Sequence, residues 1–258
     1  MPAAVFDLLA ADYDAQFNER LLGGVLRRAT WRWLDRTFGP GDRVLELNCG
    51  TGEDAVHLAA RGVRVLATDA SAAMVEQTRT KAARMRAALV EARQLEIERL
   101  DALDATAVPW DGAFSNFGGL NCVADLARTA QTLARLIKPS GRVVLCVMGP
   151  VVPWEWVWFL ARGRPARAFR RLAPGGAEWR GMTVRYPSIG ATRRAFAPHF
   201  RTRRAGGLGV LVPPPYADGW AERHAELVRR LDRWERRIEE WPLVAWIGDH
   251  YLLELERR

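Results

Sequence analysis

The sequence predicts an α/β protein on a doubly wound, mostly parallel sheet, and three observations carry that expectation. Short apolar runs alternate with amphipathic helical patterns through the first 148 residues. A glycine-rich turn follows the first run. The fifth run, RVVLCVM (Arg142 to Met148), is apolar without alternation, as a strand covered on both faces requires.

In order, RVLEL (Arg43 to Leu47) reads as a short buried strand and EDAVHLAAR as a helix stopped by Gly62. VRVLATD is the second strand. Ser71 then caps a long helix with Met74, Val75, Thr78, Ala82, Met85 and Leu89 on its apolar side. LEIERLDA (Leu95 to Ala102) reads as the third strand and AFSNFGG (Ala113 to Gly119) as the fourth. VADLARTAQTLARLI is a helix ended by Pro139 and Gly141. After Gly149 the rhythm changes: PWEWVWFLARGRPARAFRRL is an aromatic, then basic, helical stretch that fits no sheet-covering pattern. MTVRYP and the helix-like IGATRRAFAPHF follow. FRTRRAGGLGVLVPPPY looks like a strand ended by prolines, and helical WAERHAELVRRLDRWERRIEEW precedes the last strand, HYLLELER.

With 258 residues, 49% of them apolar, the chain can bury one large core. No basic-then-apolar leader opens it, and VMGPVVPWEWVWFLA is too short and too broken to span a bilayer. A cytoplasmic location is expected. Cys49, Cys122 and Cys146 have no metal-ligand spacing and lie within or beside predicted strands, so they read as reduced packing residues. No metal is expected. The net charge of +8 is uneven: acids and bases balance over residues 1–150, and the whole excess lies in 151–258. ARGRPARAFRR (Ala161 to Arg171) and RTRR (Arg201 to Arg204) are candidates to attract a substrate carboxylate or phosphate, a membrane surface or nucleic acid. The other reading is a composition that writes Arg for nearly every cation.

The turn is the most informative segment. In VLELNCGTGEDA (Val44 to Ala55), Gly50 and Gly52 let backbone approach a ligand, and the following helix presents free amides. Asp69, at the end of the second strand, suits a carboxylate that accepts ribose hydroxyls. Gly50 to Ala55 also matches the G-x-G-x-x-A dinucleotide pattern, which keeps an NAD-dependent dehydrogenase as a remote alternative. Against it, Glu46, Glu53 and Asp54 ring the turn; they would repel a pyrophosphate and suit a cationic ligand.

On these residues the chain resembles the class I S-adenosylmethionine-dependent methyltransferases, in particular small-molecule enzymes with an early "YD" segment, similar to the ubiquinone and menaquinone methyltransferases. VLELNCGTG is similar to that family's first motif and IKPSGRVVL to its fifth-strand segment. The resemblance implies a seven-stranded, Rossmann-like methyltransferase fold with helical insertions after strands 5 and 6. It implies a single domain: a cofactor-binding core at 1–149, inserted helical lid segments at 150–186 and 216–247, and late strands at 187–215 and 248–258. It implies S-adenosyl-L-methionine as cofactor, held by Glu46, Leu47, Asn48, Gly50 and Gly52 of the turn, with Asp69, Ala70 and Met74 on the ribose side. Asp101 and Ala102 would face the adenine, Asn116 and Phe117 the methionine amine, and Tyr13 the methionine carboxylate.

Asn48 departs from the motif, which has glycine there. Asn tolerates positive φ better than other side chains, so the turn can form, and its amide is a candidate partner for the methionine end.

Methyl transfer needs mainly alignment and desolvation. Candidate bases are Tyr13, His199 and Tyr216; His224 is a further histidine, and His250 is expected away from the cofactor end. No spacing singles one out. Trp154 and Trp158 with Arg162 would form an apolar lid with a cationic edge, completed by Tyr186, Tyr216 and Trp220, unless these aromatics are simply core. The expected acceptor is a small hydrophobic or aromatic molecule, with an anionic group as an added feature. The fourth-strand loop, Asn116 to Gly119, lacks the tetrapeptide of enzymes that methylate nucleic-acid amino groups, and no nucleic acid is expected. Contact with a membrane surface, to reach a lipidic acceptor, also fits the basic aromatic stretch. Two other classes stand as alternatives: a nucleic-acid-directed protein using its C-terminal arginines, and a non-catalytic scaffold.

Overall fold

The computed structural model describes residues 2–103 and 109–258. Its centre is a seven-stranded sheet in the order β3-β2-β1-β4-β5-β9-β8. The strands are β1 (Arg43–Glu46), β2 (Arg64–Asp69), β3 (Val90–Gln94), β4 (Trp110–Ser115), β5 (Ile137–Met148), β8 (Phe200–Leu208) and β9 (His250–Arg257). β9 is antiparallel to both its neighbours; the other pairings are parallel. A separate hairpin joins β6 (Ala177–Trp179) to β7 (Met182–Val184). The helices are α1 (Pro2–Leu9), α2 (Leu21–Thr37), α3 (Glu53–Ala59), α4 (Ala72–Arg84), α5 (Leu126–Leu136), α6 (Pro153–Leu160), α7 (Pro165–Ala168), α8 (Ile189–Phe196), α9 (Asp218–Arg223) and α10 (Ala225–Ile238).

Strand alternation separates two apolar layers. Leu45, Val143, Leu145 and Leu253 point to one face, where Leu133 of α5 and Phe196 of α8 cover them. Val44, Phe114, Val144 and Leu252 point to the other, against Leu26 and Trp33 of α2 and Leu58 of α3. Both sets are apolar, so the central strands read as continuous runs. The third strand lies earlier than expected. LEIERLDA is not extended; residues Ile97–Ala102 form 3-10 turns. The strand is VEARQ, whose Glu91 and Arg93 are exposed, an arrangement an edge position tolerates.

RTRR is also not a free cationic site. Arg201 and Arg203 pair with Glu256 of β9, and Arg204 pairs with Glu254. Among the described residues no helix is long and apolar enough to cross a membrane. Cys49 and Cys146 are buried and Cys122 half-buried, all with free thiols; burial pushes Cys122 up to about 11 and Cys146 up to about 12.

The loop after β8 is held by one side chain. Glu235 of α10 is buried, and its carboxylate accepts the backbone N–H groups of Gly209 (2.7 Å), Val210 (3.1 Å), Leu211 (2.7 Å) and Val212 (2.9 Å). Removing it would orphan these donors in a place water reaches poorly. Glu235→Ala should therefore cost about 3 kcal/mol, read by calorimetry as a drop in Tm on the order of 10 °C.

Candidate functional site

At the end of β1 the chain turns through residues 47–52 into α3. Gly50 (φ 53°) and Gly52 (φ 83°) both take left-handed backbone, for different reasons. A Cβ on Gly52 would run into Thr78 of α4, so that glycine sets the packing distance. A Cβ on Gly50 would meet no atom within 4 Å, so that glycine leaves room beside its backbone. Asp69 fixes the turn from β2: one carboxylate oxygen accepts the Gly50 N–H at 3.0 Å and the other the Ser71 N–H at 2.9 Å. Burial holds its carboxyl above the usual aspartate range despite those bonds. A cavity of about 610 Å³ opens beside these residues, over the C-terminal ends of β1, β4 and β5.

The anionic ring expected around the turn is largely neutralised. Lys81 of α4 donates to Glu53 (2.5 Å) and to Asp14 (2.6 Å). Arg27 of α2 pairs with Asp54 at 2.7 Å, and Asp54 also accepts from Trp31 Nε1 (2.7 Å) and Asn116 Nδ2 (2.9 Å). Glu46 is buried, its Oε2 has no partner among the described residues, and burial, then Asp54, pushes its carboxyl well above the usual range. Asp69 therefore carries the turn's unneutralised charge. The flanking helices supply the compensating cations, which local sequence cannot reveal.

Asn48 has a structural partner set. Its Nδ2 donates to the Asn116 carbonyl and its Oδ1 accepts from Ser115 Oγ, each at 2.5 Å, which ties the β1 turn to the end of β4. Any Cβ on Gly119 would overlap the Asn48 amide. Asn48 is not among the positive-φ residues, so left-handed backbone is not the reason for it, and each end of its amide already has one partner within the protein.

The far side of the cavity is closed by the expected 150–186 segment, but through a hairpin that the sequence did not show rather than through its tryptophans. In the 177–184 hairpin the two-residue turn is Arg180-Gly181, both with positive φ. Ala177, Trp179, Met182 and Val184 share the apolar cavity face, while exposed Glu178 borders the cavity and accepts from Thr183 Oγ1. Trp179 meets Phe6 of α1 across the mouth at a ring separation of 6.1 Å. Arg170 lines the same wall. One of its Nη atoms donates to buried Glu155 at 2.5 Å, and its buried Nε–H has no partner among the described residues. Behind it, Arg171 bonds Glu155 (3.1 Å) and Asp249 (2.5 Å) and lies over the Tyr186 ring at 5.1 Å. Arg171 and the His250 ring hold the Asp249 carboxyl well below the usual range against its burial.

Of the expected cofactor residues, the turn's Leu47, Asn48 and Gly50 line the cavity. So do Asp69, Ala70 and Met74 on one side and Tyr13, Asn116 and Phe117 on another. Glu46 and Gly52 sit behind the wall. Asp101 and Ala102 lie outside: both are exposed, and Asp101 is 3.6 Å from Arg128. Because β3 ends early, Glu96, Ile97 and Glu98 occupy the wall instead.

Of the expected substrate residues only Tyr186 lines the cavity. Trp154 donates to the Leu211 carbonyl, Trp158 packs with Trp220 beside α2 and α9, and Arg162 lies over Trp158 at 3.5 Å. Tyr216 packs on Phe159. These are a second layer behind the lid. His199 precedes β8 at the opposite end of the sheet and is no candidate base. His250, expected away from the site, stands beside it: β9 is antiparallel, so its first residue pairs with Met148 and its ring meets Phe117 edge-on at 5.6 Å. Arg27 and Phe6 also line the cavity unforeseen; the one signal for Arg27 is its place on the buried stripe of α2.

A methyltransferase-domain family matches residues 44–141. The demethylmenaquinone methyltransferase of Mycobacterium sp. (strain KMS) is 34% identical over 151 residues, 56% of this chain and 58% of that protein. The 2-phytyl-1,4-naphtoquinone methyltransferase of Synechococcus elongatus is 33% identical over 153 residues, 56% of this chain and 62% of that one. The chain spans little more than half the length of these relatives. The crystal structure of an S-adenosylmethionine-dependent methyltransferase from Mesorhizobium loti superposes with a TM-score of 0.56, at 20% identity, covering 89% of this chain and 98% of that one. Residues 44–141 carry a methyltransferase domain, and the fold is that of the S-adenosylmethionine-dependent methyltransferases. A geranyl diphosphate C-methyltransferase from Streptomyces coelicolor A3(2) shares the fold at a TM-score of 0.57 and 18% identity, covering 90% of this chain and 79% of that one.

The cavity's own atoms fit S-adenosylmethionine. Among the described residues, Gly50 leaves open space, Asp69 has no cationic partner, and the buried Oδ1 of Asn116 on the cavity wall has no partner. Replacing Asn48 by the family's glycine removes two bonds between β1 and β4. Asn48→Gly should lower stability by about 1–2 kcal/mol in urea unfolding and bind S-adenosylhomocysteine no more tightly than the parent.

Proposed function

We propose that this chain transfers a methyl group from S-adenosylmethionine to a small hydrophobic acceptor whose reactive form is an oxyanion, such as a hydroxylated aromatic or quinol. The observation that carries the reading is one cavity with two unlike ends. One end has Asp69, the glycine turn and the unpartnered Asn116 Oδ1. The other is apolar, with Met148, Trp179, Met182 and Val184, and is edged by Arg170 and Tyr186.

At the first end, Asp69 would accept the ribose hydroxyls, and Asn116 Oδ1 would accept from the methionine ammonium. Tyr13 and Arg27, which keeps two N–H groups beyond its bonds to Asn18 and Asp54, would face the methionine carboxylate. When bound, the cofactor supplies a methyl group on a sulfonium, ready for in-line displacement. The chain's own work is to align the acceptor and keep water out.

Among the described residues no histidine lines the second end, and the carboxylate that borders it there, Glu178, is exposed on the hairpin. We assign the preparation of the acceptor to charge rather than to a buried base. The Arg170 guanidinium, held by Glu155, lowers the cost of an acceptor oxyanion, and the proton leaves to solvent before transfer. The names of the mycobacterial and cyanobacterial relatives support a quinone-related acceptor.

Titration calorimetry with S-adenosylmethionine tests the first end. Asp69→Asn should weaken binding roughly 10- to 100-fold, as loss of a charged acceptor to hydroxyls implies. Ionised Asp69 is the better acceptor, and a cationic ligand favours ionised Glu46. Both carboxyls are raised, so affinity should rise with pH from the acid side, with protons released on binding. Glu46→Gln should flatten the profile; an affinity that falls with rising pH would contradict it. At the second end, Arg170→Gln should raise the apparent pKa of turnover with a naphthol acceptor and leave S-adenosylmethionine affinity unchanged.

A further inference from the structure

The ion pairs of the C-terminal half account for RTRR and for Arg170 and Arg171, but not for the rest of the 157–180 cover. Arg162, Arg164 and Arg167 form no ion pair among the described residues, and no acidic residue lies between Glu155 and Glu178. Large apolar side chains stand out on either side of these arginines: Val157 is 65% exposed, Leu160 47%, Phe169 44% and Leu172 49%. Val157 and Leu160 are one helical turn apart, as are Phe169 and Leu172. The surface runs into the cavity mouth, because Arg170 and half-exposed Trp179 line both.

We propose that the exposed face of residues 157–180 is a docking surface for an anionic lipid bilayer, which brings the cavity mouth against the membrane. Unpaired arginines meet anionic headgroups, and the projecting aliphatic side chains enter the interfacial layer. The charge alone would also suit nucleic acid, but Val157, Leu160 and Leu172 gain nothing from a phosphate backbone. A second copy of the chain would bring the same unpaired arginines into one interface. Delivery of a lipid-soluble acceptor from the bilayer rests on the proposed function; the docking does not.

The test is flotation of the full chain, at physiological salt, with vesicles of phosphatidylcholine alone or mixed with phosphatidylglycerol. The parent should float with the mixed vesicles only. Arg164→Ser with Arg167→Ser should weaken that binding on the order of 30-fold, for about 1 kcal/mol per arginine at the surface. Leu160→Ser with Leu172→Ser should weaken it as well. Trp234→Ser with Trp241→Ser, on a second exposed aromatic face that does not line the cavity, should leave it intact. S-adenosylhomocysteine affinity and Tm are measured for each variant. Lost flotation with both retained supports the docking surface. A parent that floats without binding S-adenosylhomocysteine supports it too, while removing the methyltransfer reading. Binding indifferent to lipid charge or to the rim substitutions overturns the proposal. So does an absence of flotation, whether or not a short RNA binds in its place with salt-sensitive affinity.

Discussion

A carboxylate sealed from water must be paired, and Asp54 is paired three ways, with Arg27 of α2, Trp31 of the same helix and Asn116 after β4. The rest of the site depends on that arrangement. It brings the first turn of α3 against α2, and it sets two side chains, Arg27 and Asn116, on the cavity wall with hydrogen-bonding capacity to spare. Breaking such a pair leaves a buried charge and typically costs 3–5 kcal/mol. It also changes what the negative charge near the glycine turn can do. With Asp54 and Glu53 occupied, the field that a cationic ligand meets comes chiefly from Asp69, whose own orientation is fixed by two backbone N–H groups.

The sheet and the turn were legible in the sequence because both are local. Leu45 and Val44, or Leu145 and Val144, announce opposite faces by their spacing alone, and Gly50, Gly52 and Asp69 have roles that backbone geometry dictates. What escaped was decided by partners distant in sequence. Glu91 and Arg93 look unlike a strand until the edge position is known. Leu95 and Ile97 alternate like a strand but close a 3-10 turn over the core. His250 is placed at the site by the antiparallel direction of β9, a topological fact that no local pattern carries. The hairpin at 177–184 is too short to announce itself, with three-residue strands and Arg-Gly in place of the usual Asn-Gly turn.

Aromatic residues misled for a related reason. Tryptophan count marks where a lid is built but not which ring faces the ligand. α6 turns Glu155 and Phe159 inward, so Trp154 and Trp158 fall on the side that meets residues 211–220, and the cavity is closed by the next segment along the chain. Composition likewise overstated the arginines: Arg171 is an interior cross-link and half-buried Arg204 pairs with Glu254, whereas Arg164 and Arg167 lie in a stretch with no acidic residue.

These distinctions divide the labour within one cavity. The donor end is made mainly by backbone and by residues whose partners are fixed, so it suits a constant ligand. The acceptor end is made by an inserted segment whose buried ionic anchor is the Glu155–Arg171–Asp249 set, on which Arg170 is mounted. Glu155 is fully buried and shared by both arginines, so the guanidinium facing the cavity is held by a charge that Arg171 fixes in place. Its charge is therefore a standing feature of the wall. On the proposed reading, an acceptor that turns an oxyanion toward it gains a charge-assisted bond to the idle Nε–H, whereas a neutral amine, whose lone pair can also accept, gains a weaker one.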